Sequence, residues 1–209
     1  MIVYVETNFV VELGYRQANF KVCESIIKLT GTRGVTLAIP AYCLVEPHEK
    51  YFRAQSETRA LVQGISARVT QVARSQPYRT LITRSKRLTE TLVQSVDDQK
   101  AGLDASIARI AAGAEVIPLD GDAVTAGMIL QAQNRFSPQD SVVYATLLSH
   151  MTKRPGEAKC FVTTNSKDFA DPVTRQELAS YNCKLLLDFA GGLAHIRSQI
   201  KPPGRSARP

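Results

Sequence analysis

Four acidic residues stand in four separate stretches of the chain: Glu6 in IVYVETNFV, Glu46 in AIPAYCLVEPHEK, Asp140 in FSPQDSVVYATLL and Asp168 in CFVTTNSKDF. Carboxylates are hard oxygen donors and suit Mg²⁺ or Mn²⁺ better than zinc. Crowded into one pocket they repel each other, so some would hold protons until a cation arrived. A divalent ion so held lowers the pKa of its water and shields a scissile phosphate. That chemistry needs no side-chain base, and His48, His150 and His195 show no ligand spacing. Cys23, Cys43, Cys160 and Cys183 form no CxxC pair and read as reduced core thiols. There is no Ser–His–Asp signature, no Gly-rich phosphate loop and no internal repeat.

The acids fall at the ends of elements that alternate strand and helix. Ile2–Val5 is a short β-branched run expected as a buried parallel strand. Thr7 or Asn8 caps the helix after it, which carries Val11, Ile26, Ile27 and Leu29 and stops at Gly31. Thr36–Ile39 is a second strand, followed by a helix with Tyr42, Val45, Glu46, Glu49 and Phe52. Glu115–Ile117, Lys159–Thr164 and Lys184–Leu187 complete five strands. Ser137 caps a helix with Pro138 at its first position and Asp140 in its first turn. Right-handed crossovers make such a sheet parallel, and ligands bind beyond the carboxyl ends of its strands. Glu6 and Asp168 follow strands, and Glu46 and Asp140 lie in the first turns of helices.

Between Arg53 and Gly113 the pattern is helical only. Leu61, Ile65, Val69 and Val72 recur at helical spacing, Gln76-Pro77 interrupts, and Leu81, Leu88, Leu92, Val96, Leu103, Ile107 and Ile110 form a second stripe. This predicts an antiparallel helical hairpin. The net charge of the chain is +7. Residues 53–113 hold ten Lys/Arg against five Asp/Glu, and 197–209 hold Arg197, Lys201, Arg205 and Arg208 with no acid. An acidic centre between basic segments suits a polyanionic partner. No apolar run approaches the ~20 residues of a membrane span. Ile2–Val5 is too short for a signal peptide, so the expectation is a cytoplasmic protein with no membrane association.

VYVETNF, the glutamate of LVEPHEK, the aspartate of PQDSVVYATL and the block VTTNSKDF together resemble the PIN domain, a superfamily of metal-dependent nucleases related to the toxin–antitoxin endoribonucleases. The resemblance covers roughly residues 1–52 and 114–190. It implies a three-layer α/β/α fold with a central parallel five-stranded sheet and a single domain over 1–198 with 53–113 as an inserted helical hairpin; the Pro-rich, basic composition of the C-terminus separately predicts a disordered tail at 199–209. The resemblance implies hydrolysis of RNA phosphodiesters with Mg²⁺ or Mn²⁺ held by Glu6, Glu46, Asp140 and Asp168, with Asn8 and Thr164 orienting carboxylates or water. Arg74, Arg79, Arg84 and Arg87 are candidates for phosphate contacts. An antitoxin or other protein partner and a homodimer are further expectations. The family commonly has aspartate where this chain has Glu6. A second reading therefore stands beside the nuclease: a weak or inactive PIN-fold module for RNA binding or assembly.

Overall fold

The computed structural model of the chain describes residues 1–31, 34–133 and 135–200. Five strands form one sheet: β1 (Ile2–Val5), β2 (Thr36–Pro40), β3 (Glu115–Ile117), β4 (Lys159–Val162) and β5 (Cys183–Leu186). Their order is β3-β2-β1-β4-β5, and every pairing is parallel. The direction of winding reverses at β1, which lies between β2 and β4. This is the switch point where open α/β sheets leave a crevice at their carboxyl edge.

Helices cover both faces. Side chains alternate along a strand, so Phe161 and Val162 point to opposite sides of β4. Phe161 meets the ring of Phe169 at 5.2 Å between centroids. Val162 packs on Gly192 of α9 (Phe189–Gln199), where an added Cβ would lie 2.5 Å from the valine Cγ1. With both faces covered, β1 must be apolar throughout, and all four of its residues are fully buried. The same core takes in Cys23, Cys43, Cys160 and Cys183, all free thiols.

The segment after β1 departs from the single helix expected. It forms α1 (Thr7–Gly14) and α2 (Phe20–Leu29), separated by a turn in which Arg16 adopts φ 50. Packing at the end of α1 is close. Gly14 lies against α4 (Leu81–Gly113) so closely that a Cβ on Gly102 would sit 2.2 Å from the Gly14 carbonyl oxygen. Only two glycines allow that approach. Strand β4 also ends earlier than expected, at Val162, so Thr163 and Thr164 belong to the exit loop.

The helical stretch begins before residue 53. Helix α3 runs unbroken from Tyr42 to Val72, through Pro47, and so carries Glu46 near its start. A single 3-10 turn at Gln76–Tyr78 leads into α4. The C-terminal half of α4 packs on the domain, with Leu103 and Ile110 buried. The far half of the hairpin covers its apolar stripe only partly, and Leu61 and Leu88 are both 55% exposed. Between the hairpin and β4 come α5 (Gly121–Ala132) and α6 (Pro138–Thr152), then α7 (Ser166–Phe169) and α8 (Pro172–Ser180) beyond β4. Helix α9 continues to Gln199, and the basic tail 201–209 lies outside the described residues. No helix of the described residues is long and apolar enough to cross a membrane.

Candidate active site

Val5 and Val162 are partners across β1 and β4. One residue further, each chain leaves the sheet, as Glu6 and Thr163. Thr163 Oγ1 donates to Glu6 Oε1 at 2.9 Å. The other carboxylate oxygen accepts the Asn8 backbone N–H at 2.7 Å, so Glu6 is the N-cap of α1. The Asn8 contribution is thus its backbone amide. The cap role expected of Thr7 or Asn8 falls to Glu6, and the orienting role expected of Thr164 is filled by Thr163. Thr164 supplies only its carbonyl, which accepts from the Ser166 N–H.

Glu46 arrives from α3. Its Oε2 accepts a short hydrogen bond from Thr7 Oγ1, and its Oε1 pairs with Lys50 Nζ at 3.2 Å, one helical turn on. Asp140 arrives from the first turn of α6, capped by Ser137. The Ser137 hydroxyl accepts the Asp140 N–H at 3.2 Å and approaches Asp140 Oδ2 at 2.5 Å, while Asn165 Nδ2 donates to Oδ1 at 3.2 Å. The N-termini of α1 and α6 both face the site and favour negative charge there.

Glu6, Glu46 and Asp140 line one small cleft of about 140 Å³, together with Thr7, Asn8, Lys50, Ser137, Gln139, Val143 and Asn165. Asp168, on α7, is half-buried and does not line it. It is near enough for its charge to help raise the Asp140 pKa. Burial is the largest cause of that rise, the Ser137 hydrogen bond opposes it, and the Glu46 charge adds to it. Burial likewise pushes the Glu6 carboxyl up to about 7, against the stabilising pull of Asn8, Thr163 and Lys50. Two of the three cleft acids therefore hold protons more tightly than free carboxylates do.

The donor set is all oxygen, which is what Mg²⁺ or Mn²⁺ takes. Among the described residues, no group of three or more acidic, histidine or cysteine side chains is closely enough gathered to hold an ion as it stands. Each oxygen of Glu6, Glu46 and Asp140 has a partner within the protein. The Lys50 ammonium is the positive charge in the cleft. The donor chemistry of the site suits a divalent ion, and Lys50 is the cation paired with Glu46 there.

Sequence reasoning missed Lys50, Thr163 and Asn165. Lys50 had a readable signal, its four-residue spacing from Glu46 on a helix. The threonine needed the strand register.

Away from the cleft, Arg74, Arg79, Arg84 and Arg87 are all exposed at the far end of the hairpin. None has an ion-pair partner among the described residues. Between Glu57 and Glu90 the chain has no acid and seven Lys/Arg. At 1.5 Å per helical residue, Arg74 lies about 40 Å along α3 from Glu46. These arginines cannot take part in bond cleavage at the cleft.

A family model of the PIN domain matches residues 3–169, from β1 to the residue after Asp168. The chain belongs to the PIN domain family. PIN domains are generally nucleases and typically use divalent metal ions. No curated protein matches the chain.

Proposed function

We propose that this PIN domain is a metal-dependent endoribonuclease that hydrolyses RNA phosphodiester bonds at the Glu6–Glu46–Asp140 cleft, with Asp168 at its margin. The observation that carries the reading is the convergence of three carboxylates from three distant segments on one cleft at the sheet's switch point. A purely structural role does not explain why acids whose charged forms are penalised by burial are kept together there.

Glu6, Glu46 and Asp140 would hold Mg²⁺ or Mn²⁺, with Asp168 as the fourth carboxylate. The ion, when bound, would lower the pKa of an attacking water and offset charge on the phosphate. Thr163 and Asn8 fix the rotamer of Glu6. Ser137 and Asn165 do the same for Asp140. Thr7 orients Glu46. Each carboxylate is thereby set in direction before any substrate arrives, which is the pre-organisation a phosphoryl site needs. The unpaired arginines of the hairpin would hold RNA phosphates remote from the cut, by charge and without sequence reading.

A second reading, a PIN-fold RNA-binding or assembly module without catalysis, is favoured by one observation. Both oxygens of Glu6 are engaged within the protein, and its pKa of about 7 leaves it largely protonated in mildly acidic solution. Cleavage of a mixed RNA pool by wild type and Asp140→Asn, with and without Mn²⁺, separates the two. Metal-dependent products from wild type alone support the nuclease; RNA retention with no products from either protein supports the binding module. An antitoxin or other protein partner and a homodimer remain part of the proposal, with the half-covered apolar stripe of the hairpin as the surface for either.

A further inference from the structure

Among the described residues, Lys50 is the only cation lining a cleft whose other members, apart from Val143, are carboxylates, hydroxyls and amides. It is held there by its place on α3. Four residues after Glu46, it lies on the same helix face and reaches back to Glu46 Oε1 at 3.2 Å. Its charge also acts on Glu6 and Asp140, lowering the proton affinity of both. One ammonium thus serves three carboxylates from three segments.

Resting on the metal-site reading above, we infer that Lys50 is an internal counter-ion: it stabilises the cleft when no metal is bound and must release Glu46 when a divalent ion enters. The ion and the ammonium compete for Glu46 Oε1, since both need the same lone pairs facing the cleft. The Lys50 side chain is 47% exposed, so its ammonium has a direct path into solvent. Ion pairs one helical turn apart contribute little on their own, and here the lysine end is open to solvent while the Glu46 side chain is 15% exposed. The consequence is a site of moderated affinity, protected from its own carboxylate repulsion in the metal-free state. The released ammonium stays tethered beside the cleft, where the phosphate of a substrate would be its next partner.

The test is Mn²⁺ binding to the full-length protein, measured as free Mn²⁺ by electron paramagnetic resonance. Wild type is compared with Lys50→Met, Lys50→Gln, Lys50→Arg and Asp140→Asn. Competition predicts that Lys50→Met and Lys50→Gln bind Mn²⁺ about three- to tenfold more tightly than wild type. Lys50→Arg should bind like wild type, and Asp140→Asn more weakly. Thermal melting gives a second readout that does not depend on activity. Lys50→Met should melt below wild type without metal, and the difference should close or reverse at saturating Mn²⁺. Unchanged or weaker Mn²⁺ binding in both neutral variants, while wild type binds and Asp140→Asn does not, overturns the role of Lys50 and leaves the metal site standing. Absence of binding in wild type and in both neutral variants overturns the metal-site reading, and this inference with it.

Discussion

Thr163 Oγ1 lies 2.9 Å from Glu6 Oε1, although the two residues are 157 apart in the chain. The contact exists because β1 and β4 are neighbours in register and end together. Thr163 is fully buried and also accepts the Asn165 N–H at 2.8 Å, so it links Glu6 to the residue that holds Asp140. Thr163→Val should cost about 1–3 kcal/mol, because it leaves the half-buried Asn165 amide without its partner as well as freeing the buried Glu6 carboxylate. Thr164→Val should stay within about 0.5 kcal/mol. Urea unfolding of the two variants checks this, and equal costs would remove the special place given to Thr163.

Asp140→Asn and Asp168→Asn should each abolish metal-dependent cleavage and leave the fold intact. Asp140→Asn should also raise the metal-free Tm by about 2–4 °C, the shift that ~1 kcal/mol produces in a chain of this size. Burial and the neighbouring charges of Asp168 and Glu46 penalise its ionised form, and asparagine carries no such penalty. Calorimetry with and without Mn²⁺ reads the sign. Cleavage that persists in both variants, with contaminating nuclease excluded, would falsify the assignment of the site.

Glu6 imposes a pH dependence on stability. Its carboxyl titrates at about 7 in the folded chain against an ordinary value of 4.5, so the folded state holds the proton more tightly. Stability from this group is therefore highest below pH 4.5, falls as pH rises to about 7, and is level above that. The loss is at most about 3 kcal/mol. Glu6→Gln should flatten the slope in metal-free denaturation curves between those pH values. A slope unchanged in Glu6→Gln assigns the effect elsewhere.

The length of Glu6 is matched to its partners. One methylene fewer draws the carboxylate back toward the main chain, away from the positions in which it meets the Asn8 N–H and the Thr163 hydroxyl. Glu6→Asp should therefore cleave RNA more slowly than wild type, and Glu6→Gln more slowly still. Equal rates in all three proteins would show that Glu6 does not hold metal.

The hairpin arginines should act on affinity alone. Each of Arg74, Arg79, Arg84 and Arg87 that contacts a phosphate should contribute a slope of about −0.7 to the dependence of log affinity on log salt for single-stranded RNA. Replacing all four with alanine should flatten that dependence while leaving Mn²⁺ binding untouched. If the hairpin is instead a protein interface, these changes leave the salt slope as it was, and Leu92→Glu alters the molecular mass in solution by light scattering.

Local pattern determined much of this protein. The apolar run Ile2–Val5, the Ser137-Pro138 helix start and the helical spacing of 53–113 are short-range signals, because periodicity and capping depend on residues a few positions apart. Four acids at element ends were legible for the same reason, and with them the PIN resemblance. What the tertiary structure decided was direction and proximity. Whether Thr163 or Thr164 faces Glu6 turns on a register set by two strands far apart in sequence, and a shift of one residue reverses the side. The close approach of Gly14 and Gly102 beside the break between α1 and α2 is likewise contained in no local pattern. Lys50 lines the cleft and Asp168 does not, and that difference is set by how α3, α6 and α7 pack in the whole fold, which a sequence read element by element does not carry.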